Sequence, residues 1–266
     1  MKLTILGTGN AMVTECYNTC FALSDKKKHF LVDTGGGNRI LKVLKDAGIP
    51  IEEIHDIFIT HEHIDHLLGI VWMIRAIATK MNQGKYEGDL RIYCHSDLVD
   101  TIKTIANLTL QKKMTKHFDQ RIVFEGLESG DKKEIIDCPV TFFDIYSTKA
   151  KQYGFTMQLP GEIKFTCVGD EPYNEKDYEY VKGSHWLMHE AFCLYGEADE
   201  FHPYEKHHST VREACQTAEE LQIPNLILYH TEEKNLKNRK ELYTKEGKEY
   251  YSGNLFVPND MECFEI

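Results

Sequence analysis

The chain reads as an α+β protein in which two sheets pack together with helices on their outer faces. Two observations predict this. Strand-rich blocks are each followed by helical segments, which differs from a uniform parallel βαβ array. No fixed-period repeat, low-complexity tract or Pro/Gly/Ser-rich linker interrupts the 266 residues, so a single domain spanning 1–266 is expected.

Taken in order, "KLTIL" alternates as a strand and stops at the turn signal "GTGN". "TCFALSDKKKHFLVDTGGG" reads as a hairpin with a solvated lysine tip, its second strand ending at Asp33 and three glycines. "NRILKVLKDAGI" has helical spacing, with Asn38 placed as N-cap and Gly48 as stop. "IHDIFIT" is a buried strand, and "DHLLGIVWMIRAIATKM" is apolar at helical spacing. "LRIYCHS" and "DLVDTIKTIANL" repeat strand then helix, and residues 121–169 are strand-rich. Strand and helix then alternate through "HWLMHEAF", "STVREACQTAEEL" and "NLILYH", followed by a charged helix from about 232 to 243 and closing strands in "EYYSGNLFVP" and "MECFEI".

Composition excludes several classes. No apolar run approaches the ~20 residues that cross a bilayer, so no membrane partner is expected. The start "MKLTILGTGNA" reads as strand and turn with no long apolar h-region, so a cytoplasmic location is expected. Eight scattered cysteines without a C-x-x-C pair read as free buried thiols. The net charge of −11 disfavours broad binding to nucleic acid, though a local patch such as "KKMTKH" at 112–117 remains open.

One stretch stands apart. "FITHEHIDHLLGI", residues 58–70, crowds His61, His63, Asp65 and His66 into a strand-to-helix loop. A lone histidine is ordinarily structural, but four metal-ligand side chains at this spacing are not. His61 and His63, two apart on extended chain, project to one side. Imidazole nitrogen and carboxylate oxygen suit zinc, with manganese or iron(II) as alternatives. One loop cannot supply two metals, and Asp170 in "VGDEP" and His230 in "LYHTE" end apolar strands as His61 does, so they complete the candidate set.

On these residues the chain resembles the metallo-β-lactamase superfamily, whose H-x-H-x-D-H motif matches "HEHIDH", and within it the ribonuclease Z-like branch. "LVDTGGG" matches a strand-end aspartate that supports the metal site, and "MHEAF" and "HHSTVREACQTAEEL" resemble the H-E-A-T-F and H-S-T segments. The resemblance implies a four-layer αββα sandwich with two divalent metal ions at one edge. By that mapping His61 and His63 take one metal, Asp65, His66 and His230 take the other, and Asp170 bridges them. Relatives of this kind often form homodimers.

Two departures matter. The family supplies a further histidine to the first metal before a "GY" strand, where this chain has "IYSTKAKQYGFTM". Ser147 or Thr148 stands in its place, so the first metal should be held more weakly or completed by another group, with His95 and Tyr146 as stand-ins. Lys149 and Lys151 beside them could meet a phosphate. Second, "TMQLPGEIKFTCV" is too short for the arm with which ribonuclease Z grips transfer RNA.

The expected activity is a metal-dependent hydrolase, a phosphodiesterase that attacks a small or single-stranded phosphodiester with a water whose pKa two cations lower to about 7. Asp65, His208 and Glu190 are the catalytic candidates. His208 serves as general acid oriented by Glu190, unless it merely flanks a helix capped by Ser209. The alternatives are a transfer-RNA 3′-processing endonuclease, a lactone or thioester hydrolase, and a non-catalytic binder that keeps the fold.

Overall fold

A computed structural model describes residues 1–266. Its strands are β1 (Lys2–Gly7), β2 (Cys20–Asp25), β3 (Lys28–Val32), β4 (Ile54–Phe58), β5 (Leu90–His95), β6 (Ile122–Leu127), β7 (Lys132–Ile135), β8 (Cys138–Asp144), β9 (Tyr153–Leu159), β10 (Ile163–Cys167), β11 (Trp186–Glu190), β12 (Asn225–Tyr229), β13 (Asn254–Phe256) and β14 (Cys263–Glu265). They form two seven-stranded sheets, ordered β14-β1-β2-β3-β4-β5-β6 and β13-β12-β11-β10-β9-β8-β7. The closing strands separate, β13 joining the second sheet and β14 the first.

Period-two alternation explains how the sheets stack. In β3, Phe30 and Val32 face the opposite sheet while Leu31 faces the helices, and in β4 Phe58 and Ile57 divide in the same way. The helices are α1 (Arg39–Asp46), α2 (Ile64–Leu67), α3 (Gly69–Asn82), α4 (Val99–Thr109), α5 (Lys112–Thr115), α6 (Tyr178–Val181), α7 (Ala198–Phe201), α8 (Val211–Glu220) and α9 (Arg239–Gly247). Ile40 and Leu44 of α1, Met73 and Ile77 of α3 and Ile102 of α4 cover the first sheet. Val211 and Ala214 of α8 and Tyr243 of α9 cover the second. Three apolar layers thus separate four structural ones, the expected αββα sandwich.

Local details refine the sequence reading. Asn38 precedes α1, but its side chain makes no capping hydrogen bond. The charged helix expected from about 232 begins instead at Arg239. The preceding residues are held as turns, because the Glu232 carboxylate accepts the Lys234 N–H and Glu233 is engaged by the Thr14 and Glu15 backbone. Antiparallel β9 and β10 are joined by Pro160, Gly161 and Glu162 alone, so no extended arm leaves the sandwich here.

What positions the site is strand direction. β3, β4 and β5 run parallel in one sheet, and β10, β11 and β12 run parallel in the other. Ligand sites of open sheets gather at the carboxyl ends of such strands. Asp33, His61, Asp170, Glu190 and His230 all lie at or just beyond those ends.

The two sheets are held in register by a phenylalanine cluster. Phe155, fully buried, has ring centroids of Phe30, Phe58, Phe165, Phe142 and Phe21 at 5.5, 5.9, 6.0, 6.3 and 6.4 Å. Removing that ring should leave a cavity between two relatively rigid layers. Phe155→Ala is expected to cost about 3–5 kcal/mol in chemical denaturation, and a loss below about 1 kcal/mol would mean the sheets can close over the gap.

Candidate metal centre

β4 ends at Phe58, and the chain continues extended through His61 and His63 before turning into α2, which carries Asp65 and His66. The loop after β10 brings in Asp170, and the residue after β12 is His230. These side chains meet as two groups: His61, His63 and Asp170, and Asp65, His66 and His230. All six sequence candidates are therefore brought together. His61, His66 and His230 are 1, 1 and 3 % exposed, and Asp65 and Asp170 5 and 2 %.

Asp170 joins the groups. Its Oδ2 lies 3.6 Å from His61 Nε2, 3.5 Å from His66 Nε2 and 3.5 Å from His230 Nε2. Asp65 Oδ2 is 3.5 Å from His66 Nε2 and 3.4 Å from His230 Nε2. Ligands about 2.0–2.2 Å from a tetrahedral ion stand roughly 3.3–3.6 Å from one another, so the second group already has the spacing of a coordination shell. His61 Nε2 and His63 Nδ1 are 2.8 Å apart, a hydrogen-bond separation, and the first group is more contracted. His66 Nε2 and both ring nitrogens of His230 are buried without a hydrogen-bond partner, which is the condition of ligand atoms awaiting a cation. The residues fit a pair of divalent metal ions.

The surrounding contacts set the tautomers. His66 Nδ1 donates to Asp33 Oδ2 at 2.7 Å, which makes Nε2 the nitrogen turned toward Asp65 and Asp170, the one that would face a cation. The Thr60 hydroxyl donates to Asp33 Oδ2 at 2.9 Å and can accept from His61 Nδ1, also at 2.9 Å. Asp33 therefore orients one imidazole of each group. It does so from a left-handed backbone, φ 56°, a strained state for a non-glycine residue and one shared by His230 at the same φ.

Charge follows from proximity. Burial works against the Asp65 and Asp170 carboxylates, yet the imidazoles beside them hold both well below the usual carboxylate range. Burial alone would lower His66, but the Asp65 and Asp33 carboxylates raise it well above the ordinary histidine value. Burial dominates at His61, which falls well below that value.

Glu190 is fully buried at the end of β11 and accepts the Ser209 N–H at 2.5 Å. Its Oε2 lies 3.7 Å from His208 Nδ1, facing it but beyond hydrogen-bond reach. His208 stacks on Phe192 (4.8 Å, 2°), and its ring centroid is 5.1 Å from that of His230. Burial, and then the nearby His230, push His208 down to about 3, while burial raises Glu190 well above its ordinary value. Ser209 is not the cap of α8. Thr210 is, in a capping box with Glu213, and the Ser209 hydroxyl donates to the Glu190 carbonyl.

The residues at the position of the family's histidine, and the two stand-ins, are engaged elsewhere. Thr148 Oγ1 meets His207 Nδ1 at 2.8 Å, and Ser147 Oγ donates to Glu171 at 2.6 Å. Tyr146 is exposed under Lys176, and His95 pairs with Glu62 at 3.6 Å. Lys151 is drawn to Asp97, but Lys149 lines the cavity with His63, Asp65, Asp170, His208 and His230. Sequence reading missed Gln152, buried at 1 %, whose Nε2 donates to Asp170 Oδ1 at 2.6 Å and so turns Oδ2 toward the shared point. No periodicity or ligand type marks a glutamine for that task.

A family model described as Anti-Pycsar protein Apyc1 matches residues 1–249. A ribonuclease Z of Methanothermobacter thermautotrophicus is 26% identical, the alignment covering 86% of each chain. A ribonuclease Z of Enterococcus faecalis is 24% identical over 100% of this chain and 97% of its own. Among solved structures, the metallo-beta-lactamase fold protein YhfI from Bacillus subtilis superposes with a TM-score of 0.80 at 17% identity, covering 99% of this chain and 98% of that one. The short form of human tRNase Z gives 0.76 at 20% identity, with 100% and 99% covered. These likenesses establish a metallo-β-lactamase fold and a ribonuclease Z-like, metal-dependent hydrolase.

Metal titration of stripped protein is expected to show one tight equivalent, at Asp65, His66, His230 and Asp170, and a weaker second at His61 and His63. Two equally tight sites would mean that another group completes the first. A cation at His66 must also displace the proton that Asp65 and Asp33 hold there, so the tight affinity should fall as pH is lowered, by roughly tenfold per unit while one proton is exchanged. A pH-independent affinity would remove His66 from the shell.

Proposed function

The chain belongs to the family described as Anti-Pycsar protein Apyc1, and we propose that it is a phosphodiesterase for small phosphodiesters such as cyclic mononucleotides or short single-stranded RNA. The observation that carries this reading is the cavity in which members of both candidate metal groups (His63 and Asp170, Asp65 and His230) converge with Lys149, Lys206 and His208. Two divalent cations, zinc or else manganese or iron, would polarise a phosphoryl oxygen and supply water of pKa about 7 as nucleophile.

The chain's own residues do the rest. His61, His63, Asp65, His66, Asp170 and His230 are the ligands, with Asp170 between the two groups. Asp65, kept ionised by His66 and His230, is a carboxylate in the cavity able to accept a proton from the attacking water. His208 carries the proton for the leaving oxygen on Nε2, the nitrogen turned away from Glu190. Both His208 and Glu190 favour their neutral forms when buried alone. An anionic phosphate beside His208 opposes that desolvation and favours the imidazolium; the Phe192 stack holds the ring, and a hydrogen bond from Nδ1 to the facing Glu190 carboxyl would close from 3.7 Å as the imidazolium forms.

The ribonuclease Z relatives support a second reading, transfer-RNA 3′ processing. The three-residue connection Pro160–Glu162 and the net charge of −11 weigh against it, since a structured RNA needs contacts away from the scissile bond to set its register.

A side-by-side assay at matched salt separates these readings. Cyclic mononucleotides and a short oligonucleotide are expected to turn over and precursor transfer RNA poorly. Cleavage confined to the transfer-RNA 3′ boundary would reverse the order. If His208 is the acid, His208→Ala should lower turnover by about 10²–10⁴ with metal content unchanged, and less for a p-nitrophenolate leaving group, which needs no proton. Equal losses on good and poor leaving groups would take His208 out of that role.

A further inference from the structure

The segment that departs from the family pattern is organised, and it delivers a cation. Ser147 Oγ donates to Glu171 Oε1 at 2.6 Å, and the Thr148 N–H reaches Glu171 Oε2 at 3.4 Å. The Lys149 and Ala150 N–H groups then close on Ser147 Oγ at 3.3 and 3.4 Å. From the other side, Thr148 Oγ1 is held against His207. Glu171 directly follows Asp170 in the chain and is 6 % exposed, so the segment is tied to the strand end that carries the shared carboxylate.

Lys149 Nζ lies 3.8 Å from Glu171 Oε1, close enough to be steered but outside hydrogen-bond reach. Its side chain is 24 % exposed and lines a cavity of about 300 Å³ with His63, Asp65, Asp170 and His208. Lys151, two residues on, spends its ammonium on Asp97 at 2.9 Å. A lysine ammonium offers three donors on a compact charge, which suits the non-bridging oxygens of a phosphate.

We propose that Lys149 is a substrate-binding residue that grips a non-bridging phosphate oxygen, with Glu171 as the positioning residue that aims it. Next to the position where the family pattern has a neutral imidazole for the first metal, this chain places a cation for the substrate. The inference rests on the phosphodiesterase reading and sharpens it: the site selects phosphate anions over neutral esters.

The test uses metal-loaded wild-type protein, Lys149→Ala, Lys149→Arg and, as a control on the same segment, Lys151→Ala. Inorganic phosphate binding is followed by ³¹P NMR line broadening or calorimetry, alongside metal content and steady-state kinetics on bis-p-nitrophenyl phosphate and on the neutral ester p-nitrophenyl acetate. Lys149→Ala is expected to weaken phosphate binding roughly tenfold or more, to raise KM for the phosphodiester more than it lowers kcat, and to leave the neutral ester and the metal content unaffected. Lys149→Arg should restore part of the loss and Lys151→Ala should bind as wild type. Equal phosphate affinity in wild type and Lys149→Ala, or no phosphate binding in either, overturns the proposal, as does an equal loss on the neutral ester. Lys149-dependent phosphate binding in a wild type that leaves bis-p-nitrophenyl phosphate intact would instead sink the phosphodiesterase reading and keep the phosphate site.

Discussion

Asp170 Oδ2 stands 3.5–3.6 Å from three imidazole nitrogens, and the fold is arranged to keep it there. The carboxylate is 2 % exposed, a position that is costly for a charge without partners. Gln152 satisfies its other oxygen. The preceding Gly169 has φ +80°, and a Cβ there would lie 2.9 Å from Ile145 Cδ1 and 3.1 Å from the Gln152 amide, so only glycine permits both the turn and the packing. The Tyr229 hydroxyl, from the strand that delivers His230, donates to the Gly169 carbonyl. Asp170 and His230 are thus fixed to each other within the second sheet. The inter-sheet phenylalanine layer, together with Gln152 between Asp170 and His61 and the Tyr153 N–H on the Thr60 carbonyl, fixes them to the histidines of the first.

Strain and buried charge gather where that convergence demands them. His230 is held in a left-handed conformation. Thr231, next in the chain, pairs its N–H with the Thr8 carbonyl, and Arg239 donates to Thr231 Oγ1, Thr8 Oγ1 and the Pro258 carbonyl. That guanidinium is fully buried, and its hydrogen bonds run to hydroxyls and a carbonyl. Asp260 accepts the Thr8 N–H and hydroxyl and the Tyr17 N–H, so the C-terminal segment clamps the first loop beside the site. Such a network over-determines one backbone state, which is how strained residues persist.

The two candidate metal groups differ in spacing. Both draw on the two sheets, but the second already has near-tetrahedral spacing while the first is more contracted. Beside the first, where the family pattern has a histidine, the β8–β9 connection folds onto Glu171 and His207.

Much was legible in the chain itself. His61, His63, Asp65 and His66 are neighbours in sequence, and Asp170 and His230 end apolar runs, so ligand type and strand periodicity located them without tertiary information. The layers were legible too, because alternation such as Phe30, Leu31, Val32 reports which side of a strand is buried between sheets. Where helices begin was less so: Thr210, not Ser209, caps α8, and the last helix starts at Arg239, because side-chain bonds to nearby backbone compete with the helix. Tertiary structure alone decided Gln152, which reaches His61 across 91 residues of chain, and Arg239, whose threonine partner Thr8 is 231 residues away. It also separated Lys149 from Lys151, two lysines on one loop that sequence could not tell apart. Local patterns record which face a residue shows to its own strand or helix. Which distant group waits at the end of that side chain depends on how the two sheets are stacked.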